Sequence, residues 1–101
     1  MAYIRVSIMT PLPEQDQHVI DLLDELVRFY QERPGFITAY RLSPDEHATV
    51  RRFGRISAWQ SEEDAHRTAN EQRDMAIQSQ LRLVIERDTH EEYSFVGEAA
   101  K

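Results

Sequence analysis

A chain of 101 residues is long enough for one domain and buries only about two thirds of the surface that its unfolded form exposes. Its 18 acidic and 12 basic residues give a net charge of −6, which argues against nucleic acid or an anionic membrane surface as a partner. Because cysteine is absent, disulfides, thiolate metal sites and a cysteine nucleophile are excluded. The sequence has no apolar run of about 20 residues and no signal-peptide pattern, so we expect a cytoplasmic protein.

The first third of the chain predicts a strand and a long helix. Apolar and polar residues alternate over residues 3–9, as in a strand. After a break that contains Pro13, apolar residues at helical spacing predict one amphipathic helix over about residues 14–32, with Pro13 at or near its first turn. The sequence Arg33-Pro34-Gly35 ends this helix, because proline disfavours helical geometry in the residue before it and glycine permits a left-handed exit.

The middle of the chain predicts a hairpin. Residues 36–42 are rich in β-branched and aromatic side chains, and a polar turn links them to a third strand over about residues 49–59. Alternation places four residues on one face of that strand: Phe53, Arg55, Ser57 and Trp59. Gly54 in mid-strand predicts a bulge or a close approach by another group.

The junction after the third strand carries the clearest local signals. The strand ends in Trp59, the only tryptophan, and Ser61 follows as an N-cap whose hydroxyl accepts a hydrogen bond from a free backbone N–H. Asp64, three residues later, completes a capping-box pattern. A short helix to about residue 73, a second helical segment over residues 75–87 and a last strand over residues 89–96 complete the prediction.

This order, β-α-β-β-α-β, is that of a ferredoxin-like α+β domain with a four-stranded antiparallel sheet and helices on one face. We assign residues 1–97 to the domain and residues 98–101 to a C-terminal tail. The sheet face away from the helices still carries aliphatic or aromatic residues, which would leave an apolar patch in water. We therefore expect a homodimer that stacks the two sheets.

With these elements assigned, the chain resembles the antibiotic biosynthesis monooxygenase-like domains of the dimeric α+β barrel superfamily over about residues 3–96. The resemblance lies in the helix closed by Arg33-Pro34-Gly35-Phe36, the strand that contains Tyr40, and residues 56–65 around Trp59. It implies a homodimer with a pocket in each protomer between helices and sheet. Members include cofactor-free oxygenases of polyketide and quinol substrates, haem-degrading enzymes and proteins of no known activity.

The haem-degrading branch is the weaker match. Its pattern has an asparagine on the first strand, where this chain offers Ser7, and a helical histidine ten residues after the tryptophan, where this chain has Ala69. His66 follows Trp59 by only seven residues. Ligation of haem iron by His66 would therefore need a different pocket geometry.

An oxygenase without a cofactor must bind a flat, electron-rich phenol or quinol, remove its proton and let the carbanion meet oxygen. Such a site needs a mostly apolar cavity and one base with a near-neutral pKa. His66 is the candidate base, and Arg73 is the candidate partner of the oxyanion. The candidates for substrate binding are aromatic or can donate hydrogen bonds: Trp59, Phe53, Tyr40 and Arg55.

Each candidate also has an ordinary structural explanation, such as a solvent-facing histidine, a core tryptophan or an arginine in a surface ion pair. The alternative function is accordingly a non-catalytic dimeric domain that binds a small hydrophobic ligand or a protein partner, with polar pocket residues that do not converge. If His66 is the base, it should face a cavity shared with Trp59. We expect no metal, because Glu62 and His66 would supply only two ligands where a site needs three or four.

Overall fold

The computed structural model describes residues 1–100. Its elements are β1 (Ala2–Met9), α1 (Asp16–Tyr30), β2 (Phe36–Leu42), β3 (Phe53–Trp59), α2 (Glu62–Ala69), α3 (Gln72–Val84) and β4 (Glu91–Gly97). The strands form one antiparallel sheet in the order β2-β3-β1-β4, which confirms the predicted ferredoxin-like α+β fold. Within residues 1–100, every helix is too short or too polar to cross a bilayer.

Several element boundaries differ from the prediction: α3 ends at Val84 instead of residue 87, β4 begins at Glu91 instead of residue 89, and three further differences have a visible cause or consequence. Helix α1 begins at Asp16 because Glu14 adopts a left-handed conformation, with φ of 67°, so Pro13 lies before the helix. The helical region after the tryptophan breaks at Asn70 and Glu71 instead of near residue 74, since Glu71 is extended where α3 begins. Strand β3 begins at residue 53, which lengthens the hairpin loop to residues 43–52.

The junction between β3 and α2 has the predicted N-cap at Ser61, although Asp64 answers through the Ser61 hydroxyl and not through the backbone N–H of a capping box. The Oγ atom of Ser61 accepts a hydrogen bond from the backbone N–H of Asp64 at 3.1 Å and donates to its Oδ2 at 2.9 Å. The turn at Gly35 packs against this cap: its φ is +80°, its carbonyl accepts from the Gln60 N–H at 2.8 Å, and a Cβ there would overlap the Asp64 carboxylate. The end of α1 and the start of α2 are thereby fixed to each other.

Gly54 marks a close approach between the two central strands. A Cβ atom at this position would overlap the carbonyl oxygen of Ser7 on β1. The bulge lies in β2 instead, where the register with β3 shifts between Phe36 and Thr38. The glycine therefore allows β1 and β3 to pair along their whole length.

The helix-facing side of the sheet is buried but only partly apolar. It contributes Met9, Phe53 and Trp59 to a core that α1 and α3 complete with aliphatic residues. The same side also buries polar groups, including Ser7 and Arg55. Because buried polar groups need partners, this polar half of the layer is where a binding site is expected.

The opposite side of the sheet is apolar and open in the single chain. Strand pairing places Tyr40, Ile56, Val6 and Tyr93 opposite one another across all four strands. Tyr40 and Tyr93 are exposed, and the Tyr93 ring stacks on that of Phe95 with their centres 6.5 Å apart. The sheet thus presents a continuous row of apolar side chains away from its helices.

Candidate functional site

A cavity of about 380 Å³ lies between the sheet and the helices. Strands β1, β3 and β4 contribute to one side, α2 and α3 contribute to the other, and Tyr30 closes it from the end of α1. Six of its lining residues are arginines, acidic residues or a histidine: Arg5, Arg55, Arg82, Asp74, Glu92 and His90. The cavity is therefore more polar than the adjoining core.

Arg55 is the central cation of this cavity. It points to the helix side of β3, and its side chain is only 5% exposed. Its guanidinium carbon lies 5.5 Å from the centre of the Tyr30 ring, and its Nη2 is 3.6 Å from Oε1 of Glu92. Within residues 1–100, its Nε and Nη1 atoms have no hydrogen-bond partner. A buried guanidinium that is incompletely paired is costly, so this position favours binding of an external acceptor.

Asp74 brings a buried carboxylate to the same cavity from the first turn of α3. It is 2% exposed, and its Oδ2 atom has no hydrogen-bond partner in the described part of the chain. Burial raises the pKa of Asp74 to about 6, against the lowering effects of Arg55 and of hydrogen bonding by Gln78 and Tyr30. A carboxylate with this pKa can accept a proton at neutral pH and release it again.

Tyr30 interacts with both of these charged groups: its ring faces the Arg55 guanidinium, and its hydroxyl is a hydrogen-bond partner of Asp74. Burial raises the pKa of its hydroxyl far above the ordinary value, and the nearby Arg55 only partly offsets this. Tyr30 therefore stays protonated at neutral pH, so its hydroxyl can donate a hydrogen bond.

Strands β1 and β4, with His90 directly before β4, supply a second set of polar side chains. The Nε2 atom of His90 is 2.8 Å from Oγ of Ser7 and 3.5 Å from Oε1 of Glu92. Glu92 also accepts a hydrogen bond from Arg5 at 3.1 Å. Ser7 is almost fully buried, so this network holds His90 at the edge of the cavity.

Two of the residues proposed from the sequence meet at the cavity. Trp59 lines it, with its Nε1 donating to Oγ of Ser57 at 3.0 Å and its ring edge-on to Tyr30 and Phe36. Arg55 is the second. Trp59 therefore serves as a core residue and as a cavity wall at once.

His66 lies outside this cavity. A base at His66 was expected to face a cavity shared with Trp59, and the structure does not bring the two residues together in this way. The His66 side chain is 52% exposed, its Nε2 is 3.7 Å from Oε1 of Glu62, and it lines a shallow surface depression on α2. The buried positions of α2 are Ala65 and Thr68. Because successive helical residues are rotated by about 100°, His66 points away from the face that these two residues bury.

The other three candidates are also outside the cavity. Arg73 forms an ion pair with Glu25 at the surface between α3 and α1. Phe53 is packed in the core opposite Met9 on β1. Tyr40 is on the open side of the sheet, because its neighbour across the ladder is Ile56 and not Arg55.

Twelve of the fourteen cavity residues are not among the sequence-based candidates, and three of these twelve are Tyr30, Asp74 and His90. Tyr30 belongs to the apolar stripe of α1, and Asp74 looks like an acidic residue placed to favour the start of a helix. His90 pairs with Ser7, which is 83 positions away in the chain. None of these placements has a local sequence signal, apart from the presence of ionisable residues at helix and strand ends.

Comparison with known proteins gives structural matches alone, since neither a family model nor a curated protein sequence matches. SnoaB, a cofactor-independent oxygenase from Streptomyces nogalater, is 16% identical, with 98% of this chain and 95% of that one covered and a TM-score of 0.80. A candidate antibiotic biosynthesis monooxygenase from Nitrosomonas europaea is 10% identical, with 95% of this chain and 89% of that one covered and a TM-score of 0.83. A conserved protein from Methanosarcina mazei is 15% identical, with 97% of this chain and 94% of that one covered and a TM-score of 0.85. At such identities the likeness shows a shared fold.

Proposed function

Because the chain has the fold of antibiotic biosynthesis monooxygenase-like structures, we propose that it is a small cofactor-independent monooxygenase acting on an aromatic, quinol or polyketide-like metabolite. The proposal is carried by one observation: Arg55, Asp74 and Trp59 line the same cavity. A buried carboxylate with a raised pKa can remove a proton from a ligand, and a buried cation in the same cavity can stabilise the anion that forms. Their convergence favours an enzyme.

Each of these groups has a role in the proposed reaction. Asp74 removes a proton from an acidic CH₂ or hydroxyl group of the substrate, for which its raised pKa of about 6 is suited. Arg55 stabilises the resulting enolate or phenolate electrostatically, in a region of low dielectric constant. Trp59 supplies a flat wall for the aromatic ring.

The chemistry balances without an external reductant. The carbanion reacts with O₂ to form a peroxide anion, which takes back the proton from Asp74. The hydroperoxide then loses water, the C–H proton leaves with the distal oxygen, and a ketone forms. Overall, one CH₂ group and one O₂ give one C=O group and one water, and the carbon supplies all four electrons.

Oxygen consumption with 1,8-dihydroxyanthrone under ¹⁸O₂ tests the proposal, after dialysis against a chelator and with the spontaneous rate subtracted. We expect one labelled oxygen atom in each ketone formed. Asp74→Asn should lower kcat by about 100-fold or more, as loss of a general base does. His66→Ala is the parallel variant, because His66 is the base proposed from the sequence; we expect it to keep wild-type activity.

Two results would overturn the proposal. One is an oxidation rate, with anthrones and hydroquinones alike, that equals the spontaneous rate. The other is an Asp74→Asn variant as active as wild type. If His66→Ala loses activity while Asp74→Asn keeps it, the base is His66 and the catalytic site is not the Arg55 cavity.

We also propose that the protein is a homodimer joined through the open sheet faces. The row that contains Tyr40 and Tyr93 supports this, since exposed aromatic side chains on a flat sheet are typical of an interface. A twofold axis would place the same row of both copies in contact.

A further inference from the structure

The charge balance of the cavity bears on the chemical class of its substrate. Three guanidinium groups, of Arg5, Arg55 and Arg82, line it together with two carboxylates, of Asp74 and Glu92. With His90 neutral, these side chains sum to +1, whereas the whole chain carries −6. A local excess of cations in an acidic protein favours an anionic ligand.

The ion pairs within the cavity leave this excess uncompensated. Glu92 is shared, since its Oε2 accepts from Arg5 at 3.1 Å while its Oε1 is 3.6 Å from Arg55 Nη2. Arg82 takes part in none of the ion pairs found among residues 1–100. Arg55 keeps two nitrogen atoms without a partner. The protein itself therefore supplies no anionic acceptor that would complete the pairing of Arg55 and Arg82 within the described residues.

Asp74, in contrast, needs a hydrogen-bond donor at one of its oxygen atoms. Its Oδ2 is buried and lacks a donor in the described residues. Asp74 and Gln78 are one helical turn apart on the inner face of α3, and Arg82, another turn along, is exposed at the rim of the cavity. A ligand that fits all of these groups carries a hydroxyl donor near an anionic acceptor.

We propose that the substrate is a planar aromatic acid whose carboxylate pairs with Arg55 and Arg82 and whose neighbouring hydroxyl donates to Asp74. Trp59 and Tyr30, whose rings pack edge-on with their centres 5.2 Å apart, supply the aromatic contacts in the same cavity. The inference rests on the proposed function for the location of the site. It concerns binding, however, so it can be tested without turnover.

Isothermal titration calorimetry with a matched pair of probes, 1-hydroxy-2-naphthoate and 1-hydroxy-2-naphthamide, is the test. The two molecules have the same ring and hydroxyl and differ in the charge of one substituent. We expect the acid to bind wild-type protein about tenfold more tightly than the amide, as one charge-assisted hydrogen bond would give. The single Trp59 indole N–H signal in a nitrogen-15 NMR spectrum should shift during the same titration, because Trp59 lines the cavity.

Three arginine variants separate the cavity from general charge effects. Arg55→Gln should abolish the preference for the acid, and Arg82→Gln should reduce it by about threefold or more. Arg28→Gln is the matched control, since Arg28, like Arg82, is an exposed arginine in the last turn of a helix but is outside the cavity. It should leave the preference unchanged. If Arg55→Gln is unfolded by circular dichroism, the exposed Arg82 decides the result.

The inference is overturned if acid and amide bind equally, if neither binds, if the Trp59 signal stays unmoved, or if the preference survives in both cavity variants. Its failure is distinguishable from failure of the oxygenase proposal. A preserved preference for the acid with no oxygen consumption supports the inference and removes the oxygenase activity. Oxygen consumption without that preference supports the activity and removes the inference.

Discussion

The guanidinium carbon of Arg55 lies 5.5 Å from the centre of the Tyr30 ring, between β3 and the end of α1. This contact offsets part of the cost of burying the cation, because the face of an aromatic ring attracts positive charge. It does not replace hydrogen bonds to the guanidinium nitrogens. A position on β3 that would otherwise hold an apolar core residue therefore holds a charge whose partners are incomplete.

The first prediction concerns the coupling between Arg55 and Asp74. Because the positive charge of Arg55 lowers the pKa of Asp74, Arg55→Gln should raise that pKa further above its present value of about 6. The measurement is the pH titration of the Asp74 side-chain carboxyl carbon by NMR. Arg28→Gln serves as the control, and an Asp74 titration that is unchanged in Arg55→Gln would show that the two groups are not coupled.

The second prediction links Asp74 to stability. Its pKa is raised from 3.8 to about 6 in the folded protein, so between these values the folded state holds a proton that the unfolded state releases. The free energy of unfolding therefore falls as pH rises from about 4 to about 6, and the loss persists at neutral pH. Asp74→Asn removes this loss. The free energy of unfolding of the variant should therefore exceed that of wild type by about 2–3 kcal/mol at pH 7.5 and equal it near pH 4.

Urea unfolding at the two pH values measures this difference. Asp21→Asn, an exposed change on α1, controls for the loss of one negative charge. An Asp74→Asn variant that is no more stable than wild type at pH 7.5 would contradict a carboxylate penalised by burial.

The sequence predicts the fold well because the relevant signals are local. Alternation along β3 predicts that Arg55 and Trp59 share a face, and this is confirmed by their common place on the helix side. The cap at Ser61 is also confirmed. The sequence predicts the site less completely, because burial of Asp74 depends on how α3 packs in the folded domain. The chemistry of histidine makes His66 the candidate base, but the rotation of α2 places it outside the cavity.

The third prediction tests the close approach at Gly54. Gly54→Ala should lower the free energy of unfolding by about 1–3 kcal/mol, because its Cβ would overlap the backbone carbonyl oxygen of Ser7 and β1 cannot move without breaking its pairing. Gly97→Ala is the control: its Cβ would meet the end of the flexible Ile4 side chain at the edge of the sheet. Chemical denaturation of both variants provides the comparison, and equal losses would argue against a special constraint at Gly54.

The fourth prediction concerns the open face of the sheet. If two copies pack through it, light scattering after size-exclusion chromatography should give twice the chain mass of 11.9 kDa. Tyr93→Glu should convert the dimer to a monomer, because a twofold interface would bury both new carboxylates in an apolar contact. Leu83→Glu, at an exposed position on α3 away from this face, should remain dimeric.

The two variants also test whether the dimer dissociates because the interface is lost or because the chain misfolds. Tyr93 is exposed in the single chain, so its replacement by glutamate should leave the secondary structure of the monomer intact by circular dichroism. A wild-type protein with the mass of one chain would contradict the dimer directly. A Tyr93→Glu variant that stays dimeric while Leu83→Glu dissociates would place the interface on the helix side of the domain instead, leaving the row around Tyr93 in contact with water.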